Sequence, residues 1–328
     1  MHSKEKILKF INKQKIGLEI GPSHNPAAPK KDGYNVHIVD HLSKSDLIRH
    51  YEKANVNLEA IEDVDFIWSG QSYKELTGKS KYYDYIIASH VIEHVPDFIS
   101  FLNDCEEVLK DSGVLSLVVP DIRFCFDYFR PITGLSKIID AYILKNKLPT
   151  PGTVAEHLLY TVKNSGNITW NSFPLKDNYS FLHSLEQAKD KMNEVIKNNS
   201  YFDSHCWCFT PSSFRLLISD LYELGFIKYK EISYYPTEGY EFYITLSKNG
   251  RSSSLNRLDF LQKIKTEQSD TDTSIKLVLA TKNNFNEEGY LLANPDVAKA
   301  VKSGLIDSGF FHFMKFGKLE KRLIRILY

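Results

Sequence analysis

The sequence predicts an α/β fold: a mainly parallel sheet covered by helices, with an inserted cap and a small helical unit at the C-terminus. Three observations carry this expectation. Short β-rich runs alternate with helical patterns through the first half of the chain. A glycine turn follows the first strand candidate at once. A polar stretch rich in Ser, Thr, Asp, Lys and Gln then sets the last block of residues apart.

The first strand candidate, Ile16–Ile20, runs through Glu19 into Gly21-Pro22-Ser23-His24-Asn25-Pro26. A glycine here lets backbone N–H groups approach a ligand above the carboxyl end of a central strand. Taken alone, a strand followed by Gly-Pro is only a turn. The chain has neither G-x-x-x-x-G-K-[ST] nor G-x-G-x-x-G, which argues against a P-loop and against a dinucleotide turn. Pro22, Pro26 and Pro29 predict an extended loop instead of a helix start.

Asn35–Val39, Val64–Trp68, Tyr85–Ser89 and Val114–Val119 are the next strand candidates. Between them fall helical stretches at Ser43–Lys53, Tyr73–Leu76 and Asp97–Lys110. The last carries Phe98, Phe101, Leu102, Cys105, Val108 and Leu109 as a helical stripe, with Asp97 as N-cap and Lys110 and Gly113 at its end. Residues 121–205 are mixed, with Pro149, Pro151 and a polar loop at Asn164–Asn171. Placed after the fifth strand, this insertion is expected to be a substrate cap. Thr210 and Pro211 then open a helix with Phe214, Leu217, Ile218, Leu221 and Leu224 on one face, stopped by Gly225. Strands at Ile227–Tyr234 and Tyr240–Ser247 close the domain, expected to span 1–248. A linker, 249–280, holds one helix near Leu255–Ile264 and leads to a helical module, 281–328.

Composition excludes several classes. Lys+Arg and Asp+Glu both total 41, so bulk electrostatics gives no reason to expect a nucleic-acid partner. No apolar run approaches the ~20 residues of a membrane span, and the N-terminus has no signal h-region. Four cysteines do not make a disulfide framework in this length. The expectation is a soluble cytoplasmic protein with reduced thiols.

Chemistry-bearing residues recur at strand ends. Val36-His37-Ile38-Val39-Asp40 ends in an acid that can accept both hydroxyls of a ribose, or can simply cap the next helix. Asp65 follows Glu62-Asp63-Val64 and is a candidate for an adenine amino group, with Phe66 or Trp68 as ring contacts. Then Tyr83-Asp84-Tyr85-Ile86-Ile87-Ala88-Ser89-His90-Val91-Ile92-Glu93-His94-Val95-Pro96-Asp97 is a strand, a polar loop and a helix cap, followed by Leu109-Lys110-Asp111-Ser112-Gly113.

These elements resemble the type 11 family of S-adenosylmethionine-dependent methyltransferases, with its FD-x-[IV]-x-x-[SA], EH-[VI]-x-[DN] and LKPGG patterns. The resemblance implies a Rossmann-like seven-stranded sheet with helices on both faces and S-adenosylmethionine as cofactor. Carried over, Glu19, Gly21 and Pro22 face the methionine part, Asp40 the ribose and Asp65 the adenine, while Ser89 and His90 line the cleft. Glu93 and His94 match the EH pair, which is expected to order its loop. The single glycine and three prolines of the first motif depart from the family. The fuller pattern resembles a bacterial subgroup that accompanies genes for surface polysaccharides, which implies a glycan-linked or small-molecule acceptor.

An oxygen or nitrogen acceptor must lose a proton, and a His or carboxylate can receive it. Asp121, Arg123, His157, His183, Asp203 and His205 follow the fifth strand. His205 is the chosen general base, with Asp203 as its orienting partner; Asp121, Arg123, His157 and Trp207 are the expected acceptor contacts. A structural histidine in the cap is the competing reading for His205. His205-Cys206-x-Cys208 lacks the usual paired ligand spacing, so no metal is expected. The Phe124–Phe129 aromatics read as core packing before sugar stacking, and Arg123 and Arg130 could hold an anionic substrate.

The last residues, with Asn294-Pro295-Asp296-Val297 and Ser308-Gly309-Phe310-Phe311-His312, resemble a small bacterial module found beside methyltransferases and glycosyltransferases. It implies a non-catalytic docking unit for a glycan-assembly partner, with Ala298, Val301 and Leu305 as an apolar face and Asp296 and His312 structural. The alternatives are a catalytically silent methyltransferase-like scaffold and an NAD-dependent sugar-modifying enzyme. The latter lacks both its glycine motif and a Y-x-x-x-K pair.

Overall fold

The structure, a computed structural model, describes residues 3–170, 178–251, 253–268 and 277–325. Asn171 at the end of the expected polar loop, Ser252 and residues 269–276 of the expected linker lie outside the described residues. The chain divides into two compact units, Met1–Gln268 and Ser269–Tyr328.

The first unit opens with α1 (Ser3–Ile7) and then follows the expected alternation. Strands β1 (Gly17–Ile20), β2 (Val36–Asp40), β3 (Phe66–Ile67), β4 (Tyr83–Ser89) and β5 (Leu109–Pro120) are parallel neighbours in the order 3-2-1-4-5. The order reverses between β1 and β4, where open α/β sheets leave a crevice at their carboxyl ends. Tyr85, Ile86, Ile87 and Ala88 of β4 are all buried, as a parallel strand covered on both faces requires.

Helices α2 (Lys44–Tyr51), α3 (Tyr73–Thr77) and α4 (Phe98–Val108) fall between these strands. The Asp97 carboxylate accepts the Ser100 amide at 2.9 Å and caps α4. That helix buries Phe98, Leu102, Cys105 and Val108 completely, each large apolar side chain contributing about 1.5–3 kcal/mol. It stops at Val108, two residues before the expected end. Leu109 pairs with Tyr83 as the first residue of β5, and the register shifts before Val114 joins Tyr85. Gly113 sits in this crowded bulge, where a Cβ would stand 2.8 Å from Leu109 Cδ2.

The insertion leaves the sheet at Asp121 and returns at Phe209, and these two residues form a parallel bridge. It contains α5 (Leu135–Ile143), α6 (Pro151–Tyr160), a ribbon of β6 (Val162–Asn164) with β7 (Tyr179–Phe181), and α7 (Leu185–Asn198). Ile138 and Ala141 of α5 join the main core, whereas α6 and α7 share a separate small core of Val154, Leu158, Ala188 and Val195.

Helix α8 (Pro211–Glu223) starts as expected, with Thr210 and Ser213 in a reciprocal cap and Pro211 in the first turn. Strands β8 (Lys230–Glu238) and β9 (Glu241–Ser247) complete the sheet, with β9 antiparallel to both β5 and β8. Helix α9 (Arg257–Gln268) falls where a linker is expected, yet it belongs to this unit. It buries Phe260, accepts two hydrogen bonds from Ser212 through Glu267, and pairs Arg257 with Asp220 at 2.8 Å.

The second unit has β10 (Leu277–Leu279), α10 (Glu287–Ala293), α11 (Pro295–Lys302), α12 (Gly309–His312) and β11 (Leu323–Arg325). Its core is Ala280, Tyr290, Val297, Phe313 and Ile324. Asp296 pairs with Arg322 at 2.7 Å, and His312 Nδ1 lies 3.0 Å from the Tyr290 hydroxyl. Val297 is the buried residue of α11, with Val301 packed beside it, while Leu305 is 81% exposed and does not continue the expected face. Among the described residues no helix is long and apolar enough to cross a membrane.

Candidate active site

A cleft of about 910 Å³ opens at the carboxyl ends of the central strands, lined by Gly21, Asp40, Trp68, Gly70, Val91 and His94 among others. Its size lies within the usual range for a small-molecule or cofactor site. Gly21 has φ +62°, and an added Cβ would stand 3.0 Å from Val91 Cγ2, so both the turn and the close approach require glycine. The buried Asp40 carboxylate accepts the Ser23 amide at 3.0 Å on Oδ2 and the His41 amide at 2.8 Å on Oδ1. A carboxylate has about four acceptor positions, so capacity remains, mainly on Oδ2. The Trp68 indole N–H donates to the Gln71 carbonyl at 2.8 Å, which fixes a partly exposed ring at the cleft edge.

The other expected cofactor contacts are placed differently. Glu19 is buried and accepts the Ala27 and Ala28 amides at 2.6 and 3.1 Å. Burial pushes its carboxyl up to about 7, against the pull of those two amides. It does not line the cleft but anchors the proline loop, which makes a tight turn at Ser23, φ +50°, where an extended run was expected, and contains no helix before Lys30–Asp32. Pro22 is buried, and its carbonyl accepts the Asn25 amide. The Asp65 carboxylate turns to the Ile38 amide and the Lys30 ammonium, both at 2.7 Å, and leaves the ring position to Trp68.

Ser89 ends β4 without lining the cleft. His90 takes a left-handed φ of +54° and directs its ring between two acids, Nε2 at 2.7 Å from Glu241 and Nδ1 at 3.3 Å from Glu93. Burial disfavours its charged form, but the two carboxylates outweigh this and hold its pKa up to about 10. His90 is therefore an imidazolium wedged behind the loop and not a wall of the cleft.

That turn presents His94 instead. His94 lines the cleft, and its Nδ1 lies 2.8 Å from Asp203 Oδ1, which also accepts the Tyr201 hydroxyl at 3.0 Å. Burial lowers the pKa of His94, but the Asp203 hydrogen bond and the Glu93 and Asp203 charges raise it by more, so the net direction is up. The His205 ring stands edge-on to it, centroids 4.6 Å apart at 86°. His205 Nδ1 is hydrogen-bonded to Asp127, which also accepts Arg130 Nη1 at 2.7 Å. Arg130 Nη2 reaches Glu156 at 3.1 Å and the His205 carbonyl at 2.8 Å. Burial opposes ionisation of Asp127, yet His205 and Arg130 hold its carboxyl well below the usual range.

The expected pairing is thus exchanged: Asp203 orients His94, and Asp127 orients His205. His94, expected only to order its loop, is the imidazole at the cleft wall, while His205 is buried behind it. Nothing in the sequence reading pointed to Asp127. The available signal was an acid and an arginine three residues apart inside an aromatic run, where a charge must find a partner.

The expected acceptor contacts do not gather at the cleft. Asp121 and Arg123 form a bidentate pair at 2.5–3.2 Å, joined by Thr237 at 2.5 Å, which ties the end of β5 to β8. Trp207 is buried and donates to the Val95 carbonyl at 2.6 Å. His157 packs 6.1 Å from the His205 ring, and burial pushes its pKa down to about 3. His183 stands 6.4 Å from His157. Cys206 and Cys208 are buried thiols, and burial pushes Cys206 up to about 12, so neither presents a thiolate.

Several solved structures are similar. A methyltransferase from Methanosarcina mazei is 14% identical over 75% of this chain and 97% of its own, with a TM-score of 0.39. A Pyrococcus horikoshii protein is 13% identical over 74% and 85%, with a TM-score of 0.36. A methyltransferase from Aquifex aeolicus is 16% identical over 36% of this chain and 64% of its own, with a TM-score of 0.28. No curated protein matches the chain. The family described as "Methyltransferase domain" matches residues 2–221, about two thirds of the sequence. The chain therefore belongs to the methyltransferase domain family, and its cofactor is S-adenosylmethionine.

Proposed function

We propose that this enzyme methylates an oxygen or nitrogen of a small-molecule or glycan-linked acceptor, which is activated at His94. One observation carries the reading: a carboxylate-backed imidazole forms part of the wall of a cofactor-sized cleft. Asp40 would hold the ribose hydroxyls, Trp68 the adenine ring, and the Gly21 backbone the amino-acid end. When bound, S-adenosylmethionine presents a methyl group on a sulfonium for in-line displacement by an acceptor lone pair.

The residues of the chain do the rest. Asp203 fixes the His94 ring through Nδ1, so Nε2 is the atom that can take the acceptor's proton. Proton transfer to a positioned imidazole contributes about 10²–10⁴-fold. The glycan class rests on the sequence resemblance and is supported by Phe129 in the cap, half exposed and edge-on to Tyr179 at 4.9 Å. Docking of a glycan-assembly protein to the C-terminal unit is part of the same reading.

Incubation of the chain with deuterium-labelled S-adenosylmethionine and host glycan precursors tests this. The expected result is a labelled methyl on one carbohydrate fraction, read by mass spectrometry and lost in His94→Ala. Label in no carbohydrate fraction would overturn the glycan class.

A further inference from the structure

Glu93, at the turn between β4 and α4, is fully buried, yet neither carboxylate oxygen has a hydrogen-bond partner. His90 Nδ1 stands 3.3 Å from Oε1 as an ion pair without hydrogen-bond geometry, so the charge is balanced while the lone pairs stay unfilled. A buried carboxylate normally fills its lone pairs, because it gives up its hydrogen bonds to water on burial and must recover them inside the fold. Beside it stand His94 and His205, and one ligand atom from each of the three lies within 4.8 Å of the others.

Both imidazoles are prepared in the same way. Asp203 holds His94 Nδ1 and Asp127 holds His205 Nδ1; since a carboxylate can only accept, each ring is left with Nε2 as its lone-pair atom. Carboxylate-backed histidines beside a third acid that accepts no hydrogen bond are the outer and inner shells of a metal centre. Two nitrogens and one oxygen suit a divalent first-row transition ion and leave positions open, whereas magnesium and calcium prefer an all-oxygen set.

We propose that Glu93, His94 and His205 bind one such ion at the wall of the cleft. Ligand bonds of about 2.0–2.2 Å require the three atoms to draw together on binding. The consequence for chemistry rests on the function proposed above. With Nε2 of His94 on the ion, the acceptor oxygen would bind an open position and lose its proton to solvent while keeping its electron pair. The ion would then replace His94 as the activating group.

The test is titration of the full chain with Co²⁺, followed by visible absorption, with elemental analysis of the protein as purified. One Co²⁺ per chain with ligand-field bands is expected. Glu93→Gln and His205→Ala should each abolish stoichiometric binding. Asp203→Asn, which changes an exposed residue behind His94, should weaken it roughly tenfold to a hundredfold. Absence of stoichiometric binding to the wild-type chain, which needs no variant to fold, would overturn the proposal, as would binding unchanged in Glu93→Gln. Calorimetry with S-adenosylmethionine on the same samples separates the two readings. Cofactor binding without metal sinks only the ion, and metal without cofactor binding sinks the proposed function.

Discussion

The two ends of the cleft use their acids in different ways. At the β1–β2 end, Glu19 and Asp40 each accept two backbone amides, from Ala27 and Ala28 for the one and from Ser23 and His41 for the other, and Asp40 also pairs with the exposed His41 ring at 2.8 Å. At the β4 end, Asp203 and Asp127 hold imidazoles, and Glu93 holds no hydrogen bond. The first arrangement shapes main chain around a ligand. The second sets side chains in fixed protonation states. In the proposed function the first end binds and the second reacts.

The sharpest way to break this contrast is to remove an imidazole. His94→Ala is expected to lower kcat by about 10²–10⁴-fold on the acceptor found by the labelling experiment, with affinity for S-adenosylmethionine retained. A parallel loss of cofactor affinity would show that the two ends are not separate.

Asp40→Ala should do the reverse. Two hydrogen bonds to a charged acceptor, at about 1.5–3 kcal/mol each, make the expected loss a hundredfold or more in S-adenosylmethionine Kd by calorimetry.

The third prediction concerns stability. The Glu19 carboxyl titrates near 7 in the fold, against 4.5 for its ordinary value. Its protonated form therefore favours the folded chain; that contribution is complete below about pH 4.5 and lost as pH rises through about 7. The span is worth about 3 kcal/mol. Glu19→Gln keeps one acceptor oxygen for the loop amides and loses the other, so it should lower stability at all pH values and flatten denaturant midpoints measured between pH 5 and about 8. An unchanged slope would rule Glu19 out as its source.

The smallest effect is expected from Asp203→Asn. The amide oxygen can still accept from His94, and the side chain is 70% exposed, so the melting temperature should hardly move while kcat falls about tenfold or less. A large loss of stability would mean that Asp203 acts as a structural tie.

Much of the sheet was legible because it is written in local pattern. The β4 run and the Asp97 and Thr210 caps sit where alternation and capping chemistry put them. Helix α9 was expected as a helix, but its polar surface hid that it packs on the first unit: only Phe260 is buried, and its anchors are partners far along the chain. The site divides in the same way. Gly21, Asp40 and Trp68 follow strand ends and could be read from position. The partners of His94 and His205 could not, because Asp203 and Asp127 are 109 and 78 residues away and only the folded insertion brings them in. Asp203 lies two residues from His205, so the sequence suggested the nearer pairing, and the fold chose the other.

The parallel bridge between Asp121 and Phe209 has an evolutionary implication. An insertion whose entry and exit lie side by side on the sheet can be exchanged as a cassette, with new acceptor surfaces tried while the cofactor cleft stays intact. The exchange is not free, however. Asp127, Asp203 and His205 travel with the cassette, whereas Glu93 and His94 remain with the host. Any productive swap must re-form the proposed reaction centre across that seam, so the two parts are expected to be inherited together.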